Sequence, residues 1–228
     1  MASSEEVDVF FAPTITLIGI GAKTCLLEQL HSLQMTKPLI VTDKGIVQSG
    51  ILKQLTDNLK NEGIEYIIYD GVIPNPTDEN VAQGVEKYTT NHCNGLISIG
   101  EGSSHDCCKG VGIIVANRGT IQPYEGKDKI SNPIPPFITI NTTAGTASEL
   151  TRFCIITDIV RKVKMAIVDW EITLSVTIND PPLMTGKPVS LTAATDIDTL
   201  TDAIEAYVAT YVTPNTDAYV GKAITYDC

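Results

Sequence analysis

Four stretches of the chain carry residues whose types and spacing could do chemistry. In Ile99-Gly-Glu-Gly-Ser-Ser-His-Asp106 an apolar run enters a glycine turn and then a helical pattern. Gly100, Gly102 and Ser103 would let the backbone approach a diphosphate closely, and the free N–H groups of a helix start favour an anion. Ser104 would cap that helix. Glu101 argues the other way, because a carboxylate about 4 Å from a phosphate charge costs roughly 4 kcal/mol at an effective dielectric near 20. A tight strand-to-helix turn without a ligand explains the same residues equally well. In Thr142-Thr-Ala-Gly-Thr-Ala-Ser-Glu149 the hydroxyls and amides suit a phosphate or a ribose, and Gly145 is available for an unusual backbone angle. A hydrogen-bonded turn is the competing reading. Asp198 and Asp202 are four apart, so on a helix they share a face and could chelate a hard divalent metal. The alternative is two solvated acids near a helix N-terminus. Asp43 follows the apolar run Pro38–Thr42, and an acid after the second strand of an α/β fold often binds a ribose hydroxyl.

Other chemistry finds little support. His31, His92 and His105 have no second candidate ligand nearby in sequence and read as surface or helix residues. No nucleophile elbow is present, so a Ser-His-Asp triad cannot be argued. The six cysteines match no C-x-x-C zinc pattern and read as reduced thiols, with Cys107 and Cys108 buried in a helix. The 16 basic and 27 acidic residues give a formal charge of −11. Such a surface repels phosphate backbones, which argues against nucleic acid as a partner. No apolar run approaches the roughly 20 residues of a membrane span. The start, MASSEEVDVFFAPTITLIG, has acids where a signal or transit peptide would want bases, so the expected location is cytoplasmic.

These residues must be positioned by something, and the apolar periodicity says what. Short β-rich runs at Thr14–Ile18, Pro38–Thr42, Glu65–Tyr69, Gly95–Ile99 and Phe137–Ile140 alternate with helical stripes. One stripe is Leu26, Leu27, Leu30 and Leu33; another is Val47, Ile51, Leu55 and Leu59. Val81, Val85 and Tyr88 make a third, entered through Thr77 or Asp78 as N-cap, and Cys107, Val111, Ile114 and Val115 a fourth. Alternating strands and helices imply right-handed crossovers and a mostly parallel sheet. Further strands are expected at Cys154–Asp158, Val163–Val168 and Leu174–Ile178. Two prolines then break the pattern. Leu200, Ile204, Tyr207, Val208 and Tyr211 fall at helix spacing, and a last helical pattern runs on from Thr216. The expected organisation is an α/β domain over 1–181 and the start of a helical domain over 182–228, too short to close a core alone.

Taken in order, the segments resemble the iron-containing (group III) alcohol dehydrogenases. The matching segments are Phe10-Phe-Ala-Pro13, Val41-Thr-Asp43, Pro74-Asn-Pro-Thr77, Ser103-Ser-His-Asp106, Thr142-Thr-Ala-Gly-Thr146, Lys162-Val-Lys-Met-Ala166, Asn179-Asp-Pro181, Leu191-Thr-Ala-Ala-Thr195 and Ala203-Ile-Glu-Ala-Tyr207. The resemblance implies a parallel-sheet dinucleotide-binding domain followed by an all-helical metal domain. It implies NAD-linked interconversion of small primary alcohols and aldehydes, with Fe2+ (or Zn2+) polarising the substrate oxygen. Asp43 matches the position that favours NAD. Asn75, Gly100, Gly102, Ser103, Thr142, Thr143, Lys164 and Leu183 match positions around the cofactor, and Asp198 matches the first metal ligand. Asp202 stands where the family has a histidine ligand, Glu101 and Ala147 stand where it has glycine, and Asp196 replaces another glycine. The family's two remaining histidines lie further downstream than this chain's end at Cys228, so an incomplete metal site is expected. The alternative is a non-catalytic dinucleotide-binding or assembly subunit, or an inactive remnant. Association with a second copy through uncovered helix faces is the partner expectation besides a small alcohol or aldehyde.

Overall fold

A computed structural model of the protein describes residues 14–187 and 189–208. The Phe10–Pro13 segment, Tyr211, Cys228 and the pattern after Thr216 lie outside the described residues. In chain order the strands are β1 (Ile15–Ile18), β2 (Pro38–Val41), β3 (Ile67–Tyr69), β4 (Gly95–Gly100), β5 (Gly126–Lys127), β6 (Phe137–Asn141), β7 (Phe153–Asp158), β8 (Val163–Val168) and β9 (Val176–Asn179). The α-helices are α1 (Leu26–Ser32), α2 (Lys44–Ser49), α3 (Ile51–Asn61), α4 (Asp78–Thr90), α5 (Gly102–Asn117) and α6 (Val189–Val208). Each expected strand is found within two residues of its expected bounds. The stripe Val47–Leu59 is one element too few: Gly50, at φ 82, ends α2 and caps α3. That left-handed angle suits glycine and splits the helix while leaving the apolar face in phase.

The main sheet runs β1-β9-β6-β4-β2-β3, and every neighbouring pair in it is parallel. All residues of β2, β4 and β6 are buried, which explains their near-continuous apolar runs. Alternation along these strands splits the core into two layers. Leu39, Val41, Leu96 and Phe137 face a layer shared with Val81, Val111 and Ile113 of α4 and α5. Ile40, Ile97, Ile99, Ile138 and Ile140 face one shared with Leu26 and Leu30 of α1 and Leu52, Leu55 and Leu59 of α3. β7 and β8 are antiparallel and form a separate three-stranded sheet with β5. Phe137–Asn141 thus ends the parallel run on which the α/β pattern rests until β9 rejoins it.

From β2 the chain steps outward to β3, then returns through β4 and proceeds to β6 and β9 on the other side. The direction reverses between β2 and β4. In open α/β sheets ligands bind outside the carboxyl ends of the strands at such a reversal. The chain divides into two compact units, one holding residues 14–143 and 147–187, the other residues 144–146 and α6. No helix among the described residues is long and apolar enough to cross a membrane.

Candidate functional site

The reversal brings together the turn after β2 and the turn after β4. Thr42 Oγ1 donates to Ile99 O at 2.7 Å and so ties the two strand ends. Asp43 is the N-cap of α2, its Oδ1 accepting from Ile46 N at 3.0 Å. Gly100 ends β4 at φ +150, where a Cβ would lie 2.5 Å from Ser104 Oγ and 3.6 Å from Asp43 Oδ2. Only glycine allows this approach, so the backbone of the turn packs directly on the head of α5 beside Asp43. Thr142 N donates to Gly100 O at 2.9 Å, which draws the segment after β6 to the same place.

The head of α5 leaves its donors open. Glu101 is the N-cap, and its side chain makes no capping bond. The intrahelical ladder begins with His105 N donating to Glu101 O at 3.1 Å. The N–H groups of Gly102, Ser103 and Ser104 therefore precede any helical partner. Ser104 does not cap the helix as its type had implied. Its Oγ is buried and has no hydrogen-bond partner among the described residues. The reason is geometric: Ser104 sits inside the first turn, tucked against Gly100, and the capping place belongs to Glu101. Glu101 and Asp43 are both half-buried. Burial raises the Glu101 carboxyl, the Asp43 charge raises it further, and Lys187 pulls it back.

A chain of buried polar groups, not visible in sequence, supports this turn. His105 Nδ1 lies 2.6 Å from Ser98 Oγ and its Nε2 2.6 Å from Asn141 Oδ1. Asn141 Nδ2 donates to Asn179 Oδ1 at 2.5 Å. An acceptor at Nε2 requires the Nε2–H tautomer, so Nδ1 accepts from Ser98. The neutral ring therefore braces β4, β6 and β9 against α5. Burial drives its pKa down to about 3. One turn on, the fully buried Lys109 donates to three carbonyls, those of Ser148, Thr151 and Phe153, at 2.7, 2.9 and 2.7 Å. Asp106 accepts from Ser148 Oγ at 3.1 Å and from Ile155 N at 3.2 Å. Apart from Ser98, each partner lies more than thirty residues from the α5 side chain it meets, which is why spacing gave no signal.

The remaining candidates lie on other segments of the chain. Asn75 is exposed at φ 55, an angle Asn tolerates better than most residues, and its Oδ1 accepts from Lys164 Nζ at 2.6 Å. Thr143 is half-buried beside Thr142. Leu183 is buried in the apolar layer that holds Ile99, Ile140 and Ile178. Gly145 takes φ +153 and packs on Thr195 of α6, where a Cβ would lie 2.9 Å from the Thr195 carbonyl oxygen. Asp198 and Asp202 are exposed on α6, and burial first, then the charges of Asp198 and Glu205, raise the Asp202 carboxyl. Among the described residues no three His, Cys, Asp or Glu side chains gather to hold a metal ion. The five described cysteines are unpaired, four of them buried.

A parallel sheet whose order reverses beside an acid and a glycine-led helix start defines a Rossmann-like α/β domain. Comparison with known proteins narrows this. The family model for iron-containing alcohol dehydrogenases matches residues 13–181. Alcohol dehydrogenase 4 of Schizosaccharomyces pombe is 48% identical over 221 residues, which are 96% of this chain and 52% of that protein. An NAD-dependent methanol dehydrogenase of Bacillus methanolicus is 42% identical over 215 residues, covering 94% of this chain and 56% of its own. A crystal structure of a 1,3-propanediol oxidoreductase superposes with a TM-score of 0.90 at 43% identity, over 94% of this chain and 56% of that one. The chain belongs to the iron-containing alcohol dehydrogenase family. It spans about half the length of the curated relatives it matches.

Proposed function

We propose that this chain supplies the dinucleotide-binding half of an NAD-linked oxidoreductase that interconverts small primary alcohols and aldehydes in the cytoplasm. The observation that carries the reading is the meeting of the turns after β2 and β4 at the reversal of strand order. These turns have an acid for the ribose hydroxyls, a glycine that keeps the backbone low, and unpaired N–H groups at the head of a 16-residue helix. The buried Ser104 Oγ without a partner is a further polar group there that a ligand or water would satisfy. In this reading Asp43 holds the adenosine ribose and excludes a 2′-phosphate. Gly100, Gly102 and Ser103 cradle the diphosphate, and Asn75, Thr142, Thr143, Lys164 and Leu183 border the cofactor. The bound nicotinamide supplies hydride transfer; this chain binds and orients it.

The metal side of the family's chemistry does not fit the described residues. Asp198 and Asp202 offer two carboxylates on one helix, and a ferrous or zinc site takes three or four ligands that include imidazoles. No step through a metal is assigned to them. The second reading, a non-catalytic dinucleotide-binding or assembly subunit, is favoured by the exposed apolar stripe Ile197, Leu200, Ile204 and Val208 on α6. Calorimetric titration with NAD, with and without ferrous iron under anaerobic conditions, tests both. The expected result is NAD binding that iron leaves unchanged. Binding that tightens with iron and weakens in Asp198→Ala would restore the metal centre to the reading. Preference for NADP over NAD would remove Asp43 from its role.

A further inference from the structure

The N-cap residue of α5 is chemically out of keeping with the site it heads. Glu101 is followed by N–H groups that the helix does not use, and preceded by Gly100, whose missing side chain lets the turn pack on Ser104 beside Asp43. Its neighbours are identifiable. The charges that act on it are those of Asp43, in the turn between β2 and α2, and of Lys187, in the segment after the Pro181–Leu183 turn. Asp43 Oδ2 would lie 3.6 Å from a Cβ on Gly100, the residue before Glu101, so two carboxylates border the same turn. Burial and the Asp43 charge both hold the Glu101 carboxyl above the usual carboxylate range, against the pull of Lys187. A group so placed exchanges its proton at a less acidic pH than an ordinary glutamate does. The side chain is also free of a capping role, since it makes no capping bond.

We propose that Glu101 sets the dinucleotide affinity of this chain through its charge, the ionised carboxylate opposing the diphosphate at the head of α5 and the protonated carboxyl admitting it. The proposal rests on the dinucleotide reading above. It makes NAD binding proton-linked. One proton is taken up with the ligand, so affinity rises as pH falls, by at most about tenfold per pH unit. It also separates charge from size. Glutamine keeps the shape of Glu101 and removes the charge, whereas glycine removes both.

The test is calorimetric titration of the purified chain, of Glu101→Gln and of Glu101→Gly with NAD, at about pH 6 and about pH 8. Adenosine and ADP serve as probes without and with a diphosphate. The wild type is expected to bind NAD more tightly at the lower pH. Glu101→Gln should bind it on the order of a hundredfold more tightly than the wild type at the higher pH, and nearly independently of pH. ADP should show the same gain and adenosine none. Equal affinities and parallel pH profiles for wild type and Glu101→Gln would overturn the proposal while leaving the dinucleotide reading intact. So would a gain in Glu101→Gly alone, which would assign the effect to bulk. No NAD binding by any of the three would overturn both. Matching far-ultraviolet circular dichroism of the three chains shows that the comparison is between folded proteins.

Discussion

His105 and Asp106 are adjacent in sequence, both are shifted by burial, and their shifts oppose each other. Burial takes His105 from its ordinary 6.5 down to about 3, so the folded ring stays neutral where the unfolded one takes a proton. Stability from this residue is complete above pH 6.5 and declines as pH falls towards 3. Burial takes Asp106 from 3.8 up to about 6, against the pull of Lys109, Ile155 N and Ser148. The folded carboxyl therefore holds a proton that the unfolded one has lost. Its contribution is present below 3.8 and disappears as pH rises through 6. Between roughly pH 4 and 6 the two slopes offset. Asp106→Asn removes one of them, so its denaturation midpoint is expected to fall with acid more steeply than the wild type's. The extra loss should approach about 1.4 kcal/mol per pH unit across that window. Parallel midpoint-against-pH curves for the two chains would show that the Asp106 carboxyl titrates alike in the folded and unfolded protein. None of this was legible beforehand. His105 read as an ordinary helix residue because its partners, Asn141 above all, come to it only through the sheet.

At the scale of elements, α4 and α5 pack through glycines set against valines. A Cβ on Gly84 would lie 2.5 Å from Val111 Cγ2, and one on Gly110 would lie 2.7 Å from Val81 Cγ2. The two contacts are reciprocal, each helix lending one glycine and one valine. Replacing Gly84 by Ala gains up to about 1 kcal/mol of helix propensity and overpacks the contact by about 1–3 kcal/mol. Net destabilisation of about 1–2 kcal/mol is expected in urea titration. Adding Val111→Ala should recover more than the separate effects allow, with a coupling above about 0.5 kcal/mol. A stabilised Gly84→Ala would show that the helices have room to part. The elements themselves were largely readable, for a physical reason. Strands such as Pro38–Val41 and Phe137–Asn141 are buried on both faces, and their β-branched runs announce it. Gly126–Lys127 was missed because two residues carry no period, and the α2–α3 break because Gly50 leaves the stripe in register. The turns that carry Asp43, Gly100 and Gly102 were legible, since turn chemistry is local. Lys109 was not: a lysine closing three carbonyls 39 to 44 residues away has no local signature.

At the scale of the whole molecule, the question is what α6 does. Both core layers are drawn from the larger unit alone. Ile197, Leu200, Ile204 and Val208 recur at three- and four-residue spacing, and each is more than half exposed. Fully burying a side chain of this kind is worth about 1.5–3 kcal/mol. A stripe of four is therefore a strong inducement to associate, and the net charge of −11 opposes it by mutual repulsion. Screening should tip the balance, because added salt weakens the repulsion and leaves the apolar attraction in place. The chain is accordingly expected to associate more as salt is raised from about 0.02 to 0.5 M, measured by sedimentation velocity over a range of protein concentrations. Leu200→Gln/Ile204→Gln should abolish that association. It should change the urea midpoint of the larger unit by no more than about 0.5 kcal/mol, since neither residue belongs to its core. A sedimentation coefficient that ignores salt and concentration would refute association through α6. Association that survives the double substitution would place the contact elsewhere on the chain and leave the assembly reading without its supporting observation.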